Sequence, residues 1–237
     1  MGGLRTALFN LFYARSHPGG KIIFRLEDTD QKRLVPGSGE DMFRILEEKF
    51  LFQFDEAPPF CGAKRTPEAK YGPYIQSERT KLYQDHAKSL IEKGHAYRCF
   101  CSTHRLASLK NLAHTKGLKH MYDGHCRSLS QKEVQAKLDA NQDFVVRLKV
   151  QLQDTSSNSS LLKASDLVYG PISFELSNID DCILLKSDGL PTYHLANVVD
   201  DYMMEISHVI RGMEWISSLP KHLMLFQAFG WKVRMNE

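Results

Sequence analysis

No run of apolar residues in this 237-residue chain approaches the roughly 18 needed to cross a bilayer, which excludes a transmembrane helix. Residues 1–7 lack the basic-then-apolar order of a secretory signal, and they do not read as a mitochondrial presequence either. Cysteine is sparse: Cys61, Cys99, Cys101, Cys126 and Cys182 make an odd number without secretory context, which argues against a disulfide framework. Charge of one sign is also lacking, because 31 basic residues against 28 acidic ones leave a net +3, too little to demand a polyanionic partner. There is no internal repeat, and the nearest thing to low complexity is the polar stretch 155–160. With 42% hydrophobic and 25% charged residues, disorder and collagen are set aside. What remains is an ordinary globular composition. At about 150 residues per domain the length fits one large domain or two small ones. A chain of this size hides roughly 70% of its unfolded surface.

The charge is unevenly placed. Between residues 102 and 132, Arg105, Lys110, Lys116, Lys119, Arg127 and Lys132 stand against the single acid Asp123, with His104, His114, His120 and His125 among them. Such a segment is either the footprint of a phosphate backbone or a solvated helix face.

Apolar spacing predicts a helix over residues 4–15, ended by His17-Pro18-Gly19-Gly20, then a buried strand over 21–26 and a second helix from about 40 to 52. Residues 57–73 read as a Pro/Gly-rich loop. Helix, strand, helix is the order of a parallel α/β sheet. Ser77 is the expected N-cap of a helix through Leu82, Ala87, Leu90 and Ile91 that stops at Gly94. A further helix carries Leu106, Leu109 and Leu112. Residues 144–150 alternate as a half-buried strand, and strands are expected at 183–186 and 206–210. Pro220 opens a closing helix that Gly230 stops. The fold class expected is α/β, with an α+β insertion.

Ligands of open α/β sheets bind beyond the carboxyl ends of the strands. Glu27 follows one predicted strand and Arg211 ends another. Facing one crevice, they suit an ammonium group and a carboxylate, since the planar guanidinium binds a carboxylate bidentately. A structural salt bridge, or two unrelated surface charges, is the alternative.

Four blocks in order carry a resemblance. They are Arg25-Leu26-Glu27-Asp28-Thr29-Asp30, Gly72-Pro73-Tyr74-Ile75-Gln76-Ser77-Glu78-Arg79, the run from Lys186-Ser187-Asp188-Gly189 through Tyr193-His194-Leu195-Ala196-Asn197 to Asp200-Asp201, and Ser207-His208-Val209-Ile210-Arg211-Gly212-Met213-Glu214-Trp215. Together they resemble bacterial-type and organellar glutamyl-tRNA synthetases over essentially the whole chain. The resemblance implies a class I synthetase, a Rossmann-type parallel sheet split by an insertion that grips the tRNA acceptor end. Its parts would be residues 1–74 and 196–237 for the catalytic domain and 75–195 for the insertion. It implies that Glu27 holds the substrate ammonium and Arg211 its side-chain carboxylate, with Tyr193 and Asn197 completing the glutamate pocket. Gly2, Gly3 and Glu214 would lie at ATP, brought with Mg2+ as substrate, and Trp215 would pack beside the site. Asp28 and Asp30 would serve the 3′ end of the tRNA or cap a turn. The partners implied are L-glutamate, ATP and tRNA(Glu), for a monomer with no membrane contact. The basic segment falls in the acceptor-binding insertion.

The resemblance also has gaps. Residues 1–7 match only the tail of the His-Ile-Gly-His-like signature, and the strand before it, with a loop supplying an Arg and a Ser, is missing. The Lys-Met-Ser-Lys-Ser-like loop and the anticodon domain are missing as well. No catalytic signature residue is therefore assigned, and the chain is not expected to charge tRNA alone. The Cys-x-Cys and Tyr-x-x-x-Cys spacing of Cys99, Cys101, Tyr122 and Cys126 is similar to a zinc set in some members, with His104 and His125 as substitutes. Reduced, partly buried thiols are the alternative. Cys61 and Cys182 receive no role. A glutamyl-queuosine tRNA(Asp) synthetase and a non-catalytic glutamate- or RNA-binding relative are the rival readings. The compartment implied is the mitochondrial matrix, otherwise the cytoplasm.

Overall fold

The computed structural model describes residues 2–59, 70–150 and 161–232. Helices α1 (Gly2–Ser16) and α2 (Ser38–Phe50) flank an extended segment at 22–26. Leu4, Ala7, Leu8 and Leu11 of α1 share one face because they recur at helical spacing, and they pack on Phe24, Phe43, Leu46 and Phe52. The chain leaves α1 through Gly20, where a Cβ would come within 1.9 Å of the Ala14 carbonyl oxygen, so only glycine fits.

The predicted strand at 21–26 is present as two isolated parallel bridges, Ile23 to Glu56 and Leu26 to Ile75. The Phe24 amide donates to the Glu56 carbonyl and the Leu26 amide to the Tyr74 carbonyl, so the segment divides its pairing between two partners and neither ladder runs on. Parallel pairing is seen at those two bridges. The sheets proper are antiparallel.

The three-stranded sheet has order β1 (Ala96–Cys99), β2 (Val145–Leu148), β5 (Ile183–Leu185). A hairpin, β3 (Leu161–Asp166) and β4 (Gly170–Glu175), pairs from Leu161 opposite Glu175 to Asp166 opposite Gly170. The main core gathers Tyr83, Ala87 and Leu90 of α3 (Thr80–Glu92) with Val146 and Leu148 of β2 and Leu184 of β5. Leu195, Val198 and Val199 of α6 (Tyr193–Met203) and Leu225 and Phe226 of α7 (Leu219–Phe229) complete it.

Several expectations need correction. Ser77 does not cap α3: it lies in a 3-10 turn over Gln76–Arg79, where its amide and hydroxyl both donate to the Asp28 carboxylate at 2.8 and 2.6 Å. β2 is not half-buried, because its polar residue Arg147 is also enclosed, at 5% exposure, with its Nη1 donating to the Asp181 carbonyl. Residues 206–210 form no strand beyond a single bridge at His208. There the Ile206 amide donates to the Asp201 carbonyl and the Asn10 side chain donates to the Ile210 carbonyl, which leaves little for a ladder. Two further elements have local sequence signals of their own. α5 (Gln131–Asp139) starts with a complete capping box between Ser130 and Glu133, and β1 precedes the cysteine pair. α4 (Thr103–Thr115) agrees with its predicted position and is capped by Ser102. The stretches 155–160 and most of 57–73, with Cys61, lie outside the described residues. No helix of the described residues is long and apolar enough to cross a membrane.

Candidate functional site

Glu27 follows the extended segment and Arg211 follows 206–210, so both side chains reach the same cleft of about 1270 Å³. Their charges meet directly: the Arg211 Nη2 lies 3.5 Å from the Glu27 carboxylate. Arg211 also donates from Nη1 to the Tyr193 hydroxyl at 2.5 Å, and its guanidinium sits over the rings of Tyr193 and Trp215 at 5.2 and 5.7 Å. Tyr193 opens α6, and burial raises its phenol while the neighbouring Arg211 charge opposes that rise.

On its other side Glu27 accepts from Arg25 at 3.2 Å. Arg25 donates to Asp201 at 2.7 Å and lies 3.8 Å from Asp200. Burial works against the Arg25 charge, but Asp201, Glu27 and Asp200 outweigh it and keep the guanidinium protonated. The Glu27 carboxylate thus stands between two guanidinium groups. That arrangement fixes its position while leaving it 36% exposed for a ligand.

Gly3, Glu214 and Trp215 line the same cleft. Gly2 begins α1 next to Gly3. Asn197 lies one turn below Tyr193 on α6 and is fully buried; its Oδ1 accepts from Gln76 Nε2 at 3.0 Å. A smaller hollow of about 390 Å³ shares Glu27 and Trp215 with it and adds Tyr193, Thr29, Asp30, Arg33, Gln76 and His194. Asp30 pairs with Arg33 at 2.6 Å, and that hydrogen bond holds its carboxyl below the usual range. Asp28 is spent on the turn at Ser77.

The cysteine cluster is a separate place. Cys99, Cys101 and Cys126 bring their sulfurs within 4.8 Å of one another, and His104 and His125 are not part of that group. Cys101 and Cys126 sulfurs are 3.6 Å apart, and the Tyr122 hydroxyl is 3.3 Å from Cys99 and 3.4 Å from Cys101. Tetrahedral zinc with sulfur at about 2.3 Å and oxygen at about 2.0 Å has edges of about 3.8 Å between sulfurs and about 3.5 Å between sulfur and oxygen. The observed spacings lie close to those edges, so the donor set fits such an ion. The Phe100 amide donates to the Cys126 sulfur at 3.4 Å, and Arg147 lies over the Tyr122 ring at 3.9 Å.

Much of the basic segment is structurally engaged. Arg105 pairs with Asp123 at 2.5 Å, Arg127 with Asp181 at 3.1 Å, and Lys119 donates to the Asn178 carbonyl. Lys110, Lys116 and Lys132 remain exposed. Sequence reasoning gave no role to Arg25, Gln76, Asp200, Asp201, His194, His222 or Arg147. The available signal was a pair of adjacent acids, Asp200-Asp201, directly after the apolar pair Val198-Val199 of α6.

The α/β chain thus sets a carboxylate and a guanidinium 3.5 Å apart at one cleft and holds a thiol cluster apart from it. The model of the class I tRNA synthetases (E and Q), catalytic domain, matches residues 1–236, and the chain belongs to that family. It is 44% identical over 232 residues to a glutamate–tRNA ligase of Clostridioides difficile, covering 98% of this chain and 46% of that one. It is 47% identical over 235 residues to the glutamate–tRNA ligase of Borreliella burgdorferi, covering 98% and 44%. A crystal structure of a glutamate tRNA ligase from Elizabethkingia meningosepticum, in complex with its amino acid, superposes with a TM-score of 0.86 at 34% identity. That match covers 100% of this chain and 46% of the other. The chain spans less than half the length of these relatives.

Proposed function

We propose that this chain carries the glutamate-binding portion of a glutamate–tRNA ligase, which activates L-glutamate with ATP and passes it to tRNA(Glu). The observation that carries the reading is the pair of contacts that Arg211 makes, with Glu27 at 3.5 Å and with the Tyr193 hydroxyl at 2.5 Å. Without ligand, Glu27 and Arg211 neutralise each other. L-glutamate exchanges that one ion pair for two, its ammonium on Glu27 and its side-chain carboxylate on Arg211 and the Tyr193 hydroxyl. Arg25 keeps Glu27 in place throughout the exchange, and Asn197 supports Tyr193 from below.

In the reaction the α-carboxylate of glutamate attacks the α-phosphorus of ATP in line and displaces pyrophosphate. The adenylate then acylates a terminal ribose hydroxyl of the tRNA. This chemistry depends on positioning and on stabilising phosphate charge, not on a side-chain nucleophile. Gly2, Gly3 and Glu214 flank the ATP, which enters with Mg2+. The three-part division 1–74, 75–195 and 196–237 belongs to the same reading, as do RNA contacts from Lys110, Lys116 and Lys132.

Cys99, Cys101, Cys126 and Tyr122 would hold zinc, whose chemistry here is to cross-link the insertion. Support comes from the spacing of the donors and from Arg147, a buried guanidinium that pairs with no carboxylate among the described residues and faces the cluster. The relatives named above are bacterial and lend nothing to the mitochondrial assignment, which rests on general likeness alone.

Calorimetry with L-glutamate tests the reading. The 237-residue chain is expected to bind one equivalent, and Arg211→Ala to weaken binding roughly 30-fold, the worth of a charge-assisted pair of about 2 kcal/mol. Equal affinity in the variant would remove the assignment.

A further inference from the structure

We propose that Arg147 is the counter-charge of the zinc site formed by Cys99, Cys101, Cys126 and Tyr122, its guanidinium balancing the negative charge that these ligands leave around the ion. This deepens the zinc reading and rests on it. The register of β1 and β2 brings the residue there. Tyr97 stands opposite Arg147 and Cys99 opposite Val145, so Cys99 and Arg147 are diagonal neighbours on one face of the sheet. A diagonal pair lies within reach of a long side chain. The two faces serve different cores: Ala96, Val146 and Leu148 turn to the main one, whereas Tyr97, Cys99 and Val145 turn to the small one around the cysteines. Alternation along β2 sends Arg147 with the second set, and its guanidinium lies over the Tyr122 ring at 3.9 Å.

No carboxylate among the described residues pairs with that charge. Arg147 is buried; its Nη1 donates to the Asp181 main-chain carbonyl at 2.8 Å, and its Nε is enclosed without a hydrogen-bond partner among the described residues. The Asp181 carboxylate is taken up by Arg127 Nη1 at 3.1 Å, the Tyr97 hydroxyl at 2.7 Å and the Val150 amide at 2.9 Å. The other guanidinium at the cluster belongs to Arg105, whose Nη1 lies 3.6 Å from the Cys101 sulfur, but its charge is spent on Asp123. A buried guanidinium without an anion is costly.

The cluster supplies the anion once it is loaded. Zinc takes its thiol ligands as thiolates. Three of them around one dication leave a negative charge even before the Tyr122 oxygen is added, and Cys99 and Cys126 are buried with little water to screen it. An enclosed cation and an enclosed anionic site, each short of a partner, thus meet across the Tyr122 ring.

The test is the zinc affinity of the full 237-residue chain, stripped of metal and titrated with Zn2+ against a chromophoric chelator. Arg147→Gln keeps a donor for the Asp181 carbonyl and removes the charge; it is expected to weaken zinc about 10- to 100-fold, the range in which groups behind metal ligands act. Arg147→Lys keeps the charge and is expected to bind zinc severalfold more tightly than Arg147→Gln. Loading with Co2+ gives a second readout: the thiolate-to-metal absorption of the parent is expected in both variants, because the ligands are untouched. If Arg147→Gln loses its cooperative melt, Arg147→Met, also uncharged, carries the test. Parent-like zinc affinity in the folded uncharged variant, or equal losses in that variant and Arg147→Lys, overturns the role of the charge and leaves the zinc site standing. Loss of the cobalt absorption in a folded uncharged variant also overturns it, by making Arg147 a structural support of the ligands. A parent chain that takes up no Zn2+ overturns the zinc reading together with this inference.

Discussion

Beside the proposed pocket, His194 and His222 set ring nitrogens 3.3 Å apart, with the Tyr193 ring packed on both. Burial pushes both imidazoles down to about 3, helped for His194 by His222 and for His222 by the Arg211 charge. In the unfolded chain a histidine titrates near 6.5. Between those values the unfolded state takes up protons that the folded state refuses. The stability is therefore complete above about pH 6.5 and declines as pH falls toward 3. Urea unfolding between pH 4 and 7 checks this: His222→Gln is expected to reduce the acid slope by about one proton, and an unchanged slope contradicts the assignment. Single residues were the hardest scale to read from sequence. Glu27 and Arg211 were named because ligands of α/β sheets bind at strand ends; the structure brings the two side chains 3.5 Å apart, although 206–210 form no strand. Tyr193 and Asn197 emerged only from the resemblance, because a polar residue on a buried helix interrupts no hydrophobic period. Gln76 and His222 gave no signal, since their importance lies in contacts made across more than a hundred residues and across 28, respectively.

Among the elements, α1, α2, α3, α4 and α7 follow from apolar spacing and from Gly and Pro punctuation, whereas α6, between two expected strands, was not read from the sequence. Strands fared less well, because a short apolar run does not say what it will pair with. Residues 21–26 divide their hydrogen bonds between two partners, and residues 206–210 give theirs to a helix end and to Asn10. Arg147 is inward on β2 because that strand is covered on both faces, a fact set by the packing of Tyr122 and Asp181 rather than by alternation. The exit from α1 offers a test at this scale. Gly20→Ala places a methyl 1.9 Å from the Ala14 oxygen, which is backbone and cannot yield cheaply. The variant is expected to lose roughly 2–3 kcal/mol, and its thermal midpoint to drop by about 5–10 °C. A midpoint within a degree of the parent contradicts the close approach.

For the whole molecule, the core around α3, β2, β5, α6 and α7 joins residues that the sequence reading divides between the insertion and the catalytic part. The segment around the cysteines keeps a small core of its own at Tyr97, Cys99, Phe100, Tyr122 and Cys126, which overlaps the proposed zinc ligands. A cluster that small needs a cross-link to hold its shape. Metal analysis of chelator-free protein is expected to find about one zinc per chain, and a strong chelator to lower the thermal midpoint. Less than a tenth of an equivalent ends the proposal. The central claim is that Glu27 and Arg211 receive the two ends of one amino acid. A crystal structure of the chain soaked with L-glutamate tests it most directly. The account predicts the ammonium on Glu27 and the side-chain carboxylate on Arg211 and Tyr193; a reversed ligand, or an ion pair left undisturbed with glutamate bound elsewhere, would contradict it.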